Sequence, residues 1–99
     1  MNEQAWLNWC QKQLSDLSRR MLIQGYGPKR IEYLAQASPE FRKHFETFME
    51  DVRVIMNQMA ANPQGFHFFD EFTQAKMAFL QYTNAHRGHL LDLQIAESA

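Results

Sequence analysis

From Ser38 to Met59 the chain reads SPEFRKHFETFMEDVRVIMNQM, and Phe41, Phe45, Phe48, Val52, Ile55 and Met59 alternate four and three residues apart. That spacing keeps one apolar stripe of a helix against its neighbours along its whole length. Ser38 and Pro39 predict where this helix starts. The serine oxygen can accept from a free backbone N–H, and proline has none to lose. Glu40 then occupies the electropositive first turn.

The same periodicity appears before and after this central helix. Leu7, Cys10, Leu14, Leu17 and Met21 form a seam that predicts a first helix from about Asn2 to Gln24. On a wheel of about 100° per residue, Trp6 flanks the seam, whereas Trp9 and Ile23 fall on the polar face with Lys12, Asp16 and Arg20. Gly25 is placed to end the helix in a left-handed cap, and Gly25-Tyr26-Gly27-Pro28 reads as a turn. Pro28 then opens a short helix, PKRIEYLAQA, with Ile31 and Leu34 turned inward, and Ser38-Pro39 stops it. After the loop Asn62-Pro63-Gln64-Gly65, a last helix runs from about Phe66 or Asp70 to Ala96.

That last helix carries two apolar stripes. One holds Phe68, Phe72, Ala75, Phe79, Tyr82, His86, Leu90 and Leu93; the other holds Phe66, Phe69, Met77, Leu80, Leu91 and Ile95. A helix apolar over so much of its circumference is either wrapped by its own chain or shared with a second molecule. Gly88 is the point where it would bend or allow close approach. The expected fold is all-α: a single domain over 1–99, an elongated antiparallel bundle of three long helices and one short one, dimeric. Rods of about 22 to 30 residues, or roughly 33 to 45 Å, are long for so small a domain and favour self-association.

Composition narrows the function. Eight Phe, two Trp and three Tyr give a short chain large buried areas, so global disorder is excluded. A net charge of −1 gives no overall pull toward nucleic acid or an anionic membrane. Cys10 stands alone, which rules out an internal disulfide and fits a reducing compartment. No stretch is long and apolar enough to span a bilayer, and MNEQAWLNWCQKQL is not a secretory signal. The expectation is a soluble, cytoplasmic protein.

Reaction chemistry finds little footing. His86 and His89 are three apart on a helix, but His67, His44, Glu46 and Glu50 complete no ligand spacing. His86 reads instead as a core histidine in the apolar stripe. Cys10 occupies a seam position where a small buried hydrophobe is the ordinary occupant. Asp70-Glu71 is explained by the dipole of a helix start. There is no phosphate loop and no nucleophile elbow. Neither an enzyme, a cofactor nor a metal is expected.

Charge and exposed apolar residues say more. Between Arg19 and Lys43 the bases Arg19, Arg20, Lys29, Arg30, Arg42 and Lys43 face only Glu32 and Glu40, and the next segment is acidic. Such polarity steers partners. Trp9 on a polar face near Arg20 and Ile23 has the composition of an interface hot spot, extended by Tyr26 beside Lys29 and Arg30. These six residues are the expected partner-binding surface of a non-catalytic adaptor, antagonist or regulator acting on another protein. The alternative is a nucleic-acid-associated regulator using Arg19 to Lys43. Its helix-turn-helix resemblance is weakened by the short turn and by Glu46 and Glu50 on the face that would meet the groove.

Overall fold

The computed structural model describes residues 3–62 and 67–93, and among these the secondary structure is entirely helical: α1 (Glu3–Gln24), α2 (Pro28–Ala37), α3 (Pro39–Ala61), α4 (His67–Ala85) and α5 (Arg87–Asp92). The molecule measures 51 × 22 × 22 Å. None of its described helices is long and apolar enough to cross a membrane.

Ser38 separates α2 from α3 by serving both. Its N–H donates to Leu34 O at 2.9 Å, closing α2, and its Oγ accepts from Phe41 N at 3.2 Å, opening α3. Pro39 holds the first helical position, so no donor is wasted there. The stripe from Phe41 then buries Phe41, Phe48, Val52, Ile55 and Met59. Phe45 is only half-buried.

α3 runs antiparallel to α4, with Phe79 of α4 as the point of engagement. Its ring lies 5.8, 6.0 and 5.5 Å from the rings of Phe41, Phe45 and Phe48. α1 runs antiparallel to α3 and parallel to α4. Cys10 faces Met59, while Trp6, Asp16 and Gln24 meet Phe68, Lys76 and Thr83 in ascending order. Up-down-up packing of α1, α3 and α4 encloses one core, and α2 packs on α3.

Three details of the packing differ from the reading of the sequence. Leu7 is exposed, whereas Trp6 is buried at 1 %. α1 touches both α3 and α4, so its buried arc is turned by roughly 30° from the Leu7–Met21 seam. The last helix is also broken, at His86 rather than Gly88. α1 ends at Gln24, level with Thr83, so a straight continuation of α4 would project past its neighbours. The break instead lets Leu90 reach the core and brings Leu91 against Gly25. Gly25 has φ 107°, a conformation that calls for glycine, and an added Cβ would stand 2.9 Å from Leu91 Cδ1 and push that side-chain tip aside. The third difference is His86 itself, which is exposed at this corner rather than sitting in the core. Phe66 and Ile95, and the proposed ends of the first and last helices at Asn2 and Ala96, lie outside the described residues.

Phe48 is 4 % exposed and stacked on Phe79. Replacing it with alanine is expected to cost about 3 to 5 kcal/mol in urea unfolding, the range for a buried phenylalanine. A loss below about 1 kcal/mol would place Phe48 outside the core.

Candidate partner-binding surfaces

α1 is fastened to α4 by a polar clasp in the middle of its length. Lys76 is buried, and its Nζ donates to Gln13 Oε1 at 2.6 Å and Asp16 Oδ2 at 3.1 Å. Arg19 and Arg20 each reach back to Asp16 at 2.7 Å. Hydrogen bonds from Arg19, then Arg20 and Lys76, hold the Asp16 carboxyl well below the usual carboxylate range. Arg19 and Arg20 are thereby partly neutralised, and their guanidinium groups are held at fixed places on the surface.

The turn after α1 is tied down as firmly. Tyr26 is buried and its hydroxyl donates to Thr83 O at 2.7 Å. Thr83 Oγ1 bridges to Gln24 Oε1, and Arg87 Nε donates to Gln24 O at 2.6 Å. Arg30 donates to Leu93 O and stands over the Tyr33 ring. These contacts seat α2 at one end of the bundle.

The six residues expected to bind a partner are therefore dispersed. Tyr26 belongs to the core, so its expected place on an exposed patch is corrected: its hydroxyl finds a backbone acceptor inside the molecule. Trp9 is half-buried, its ring 6.2, 4.8 and 5.3 Å from Trp6, Phe69 and Phe72, so the aromatic start of α4 covers the face that the wheel had assigned to solvent. Arg30 is half-buried and engaged within the chain. Lys29 is exposed on the first turn of α2. Arg20 and Ile23 do remain together at the surface, and Ile23 is 76 % exposed.

The structure adds to Arg20 and Ile23 two residues from the second stripe of the last helix. Arg20, Ile23, Gln24, Met77, Leu80, Gln81 and Asn84 line a hollow of about 380 Å³ between α1 and α4. Met77 is exposed, and Arg87 reaches the same end through Gln24. The charged groups that line this rim are basic, with Arg20 paired to Asp16, and its other polar groups are amides.

A second hollow lies on the opposite side of α1, between α1, α2 and α3. Ser18, Arg19, Leu22, Tyr26, Pro28, Ile31, Glu32, Ala35, Gln36 and Phe45 line about 760 Å³ of mostly apolar space. A smaller hollow of about 170 Å³, lined in part by Leu14 and Met49, shares Ser18, Ile31 and Phe45 with it. Leu22 stands on the α1 wall, 62 % exposed. Sequence reasoning missed this groove. The available signal was the pair Leu22-Ile23, two large apolar residues outside the seam and about 100° apart on the wheel.

The other candidate chemistry is dispersed as well. Cys10 Sγ faces Met59 Sδ at 3.7 Å, and burial pushes the thiol pKa up, away from a reactive thiolate. His86 and His44 flank the ring of Tyr82, at 5.0 and 3.8 Å. Burial, reinforced by Glu40, pushes the Tyr82 hydroxyl up to about 12. Among the described residues no group of three or more His, Cys, Asp and Glu is arranged to hold a metal ion. No family model, curated protein or solved structure matches the chain.

The clasp has a measurable pH signature. Asp16 is depressed in the folded state, so its contribution is complete above its unfolded pKa, near 4, and is lost as pH falls through the lower folded value. Urea midpoints are expected to fall between pH 5 and 2, with a shallower fall in Asp16→Asn. At pH 7, Asp16→Ala is expected to destabilise more than Lys76→Met, because only the former strands a buried ammonium. The reverse order would overturn this account of the clasp.

Proposed function

We propose that this chain is a non-catalytic, protein-binding module whose α1–α4 face takes an acidic amphipathic segment of another protein. The observation that carries the reading is the coincidence of Ile23, Met77 and Leu80 around one hollow with Arg20 and Arg87 beside it. Ile23 and Met77, large apolar side chains left in solvent beside the buried Leu80 and ringed by polar groups, have the make-up of an interaction site. The basic rim sets the polarity of the partner. Carboxylates flanking an apolar stripe would meet Arg20 and Arg87, whereas a basic segment would be repelled.

The mechanism is recognition by shape and charge on a prearranged surface. Asp16 holds Arg20, Gln24 O holds Arg87, and the Lys76 clasp fixes α1 against α4. Side chains already held in place lose less freedom on binding, so more of the contact energy appears as affinity. Nucleic acid is a weaker fit, because Arg19 and Arg20 border different hollows and Glu32 shares the one that Arg19 lines, so the segment presents no continuous basic face.

Selection from a library of amphipathic helical peptides tests the reading. Peptides with Asp or Glu beside the apolar stripe are expected to be enriched, with affinities that weaken as salt rises. Ile23→Asp and Arg87→Glu are each expected to weaken them by about tenfold or more, roughly 1.4 kcal/mol. Circular dichroism would show that both variants stay folded. Enrichment of basic peptides, or equal binding by Ile23→Asp, would sink the proposal.

A further inference from the structure

The groove on the other side of α1 has a different charge balance, and that difference identifies its occupant. Its α1 wall carries Arg19, its α2 wall carries Glu32, and its floor is apolar. A partner segment of a single charge sign would satisfy one wall and offend the other. Leu22 is a large apolar knob on the wall beside an open apolar hollow, and it is far too exposed to be filling that hollow itself. A surface that carries both the knob and the hollow, and both signs of charge, holds the parts that an isologous contact requires.

We infer that this groove is the interface of a two-fold homodimer. In an isologous contact each copy offers the same surface to the other, so every pair of residues occurs twice. Leu22 of each copy enters the groove of the other, against Ile31, Ala35 and Phe45. Arg19 of each copy meets Glu32 of the other, giving two opposite-charge pairs at the rim. Asp16 bonds the Arg19 guanidinium at 2.7 Å, and 71 % of that side chain stays exposed. Phe45 and Met49, incompletely buried in the single chain, gain cover from the second copy.

This inference does not rest on the binding role of the α1–α4 face, which lies on the other side of α1 and is read through Ile23 and Arg87. Loss of the dimer and loss of peptide binding are therefore separate results.

Sedimentation equilibrium of the full chain over a wide concentration range is the test. Dimerisation that rises with concentration is expected, and Leu22→Glu is expected to raise the dimer Kd at least tenfold with the helical circular dichroism unchanged. Arg19→Glu and Glu32→Arg separately place like charges opposite each other twice, and each is expected to dimerise about tenfold more weakly than the wild type. An equimolar mixture of these two variants restores opposite charges at both pairs and is expected to form the heterodimer preferentially. This arm stands independently of Leu22 should Leu22→Glu fold poorly. A wild type that stays monomeric at several hundred micromolar overturns the inference. So does a dimer indifferent to Leu22→Glu, or a mixture that associates no better than its components.

Discussion

The ring of Phe79 lies among three phenylalanines of α3, spaced three and four residues apart, and the arrangement of the molecule follows from that engagement. Each aromatic pair is worth about 0.5 to 1.5 kcal/mol beyond the area it buries. One helix therefore holds another at three successive positions along the same stripe. This fixes the register of α3 against α4, and with it the trough into which α1 packs. Met59 then comes opposite Cys10, and Lys76 comes opposite Asp16. A shift of α4 by one turn would move Lys76 away from its carboxylate and leave a buried ammonium without its ionic partner. The polar clasp thus adds specificity of register to a core whose cohesion is aromatic.

The uncovered surfaces follow from the same register. With α1 seated between α3 and α4, the bundle is closed by α2, which has ten residues against the twenty-two of α1. Tyr26 pins the turn before α2 to the backbone of α4, and Ser38 ends α2 where α3 begins. Both ends of α2 are therefore fixed, and it packs on α3 without closing over α1. Leu22 is left on the rim of the resulting groove. On the other side of α1, Met77 and Ile23 overhang the edge that α4 shares with α1.

The parts legible from the sequence were those decided by neighbours along the chain. Ser38-Pro39 marked a boundary because capping is local chemistry, and the Phe41 to Met59 stripe announced its buried face because α3 contacts its neighbours along nearly its full length. Trp9 and Tyr26 misled for a common reason. Their placement depends on which other helices lie beside them, which a single-helix wheel does not contain. Phe69 and Phe72 cover Trp9, and Thr83 receives the Tyr26 hydroxyl, from roughly sixty residues away. The corner at His86 was hidden likewise, since it follows from where α1 stops. The exposure of Arg20 and Ile23 was legible because their side of α1 stays open, but the residues beside them, Met77 and Leu80, belonged to a stripe read as part of a different helix.

The charge run from Arg19 to Lys43 shows how linear clustering differs from a field. Arg19 and Arg20 are adjacent in sequence but about 100° apart around α1, so they border different hollows. One shares its groove with Glu32, and the other shares its rim with Arg87. A single basic segment is thereby divided into a surface of mixed sign and a surface of one sign. Mixed sign within one groove suits a copy of the same surface, because a two-fold axis that sets Arg19 against Glu32 does so twice. One sign favours a foreign partner of the other sign, because a second copy would bring like charges together. The two apolar openings beside α1 thus differ in their charge, the distinction resting on Glu32 standing in the groove of Arg19 while Arg87 stands beside the hollow of Arg20.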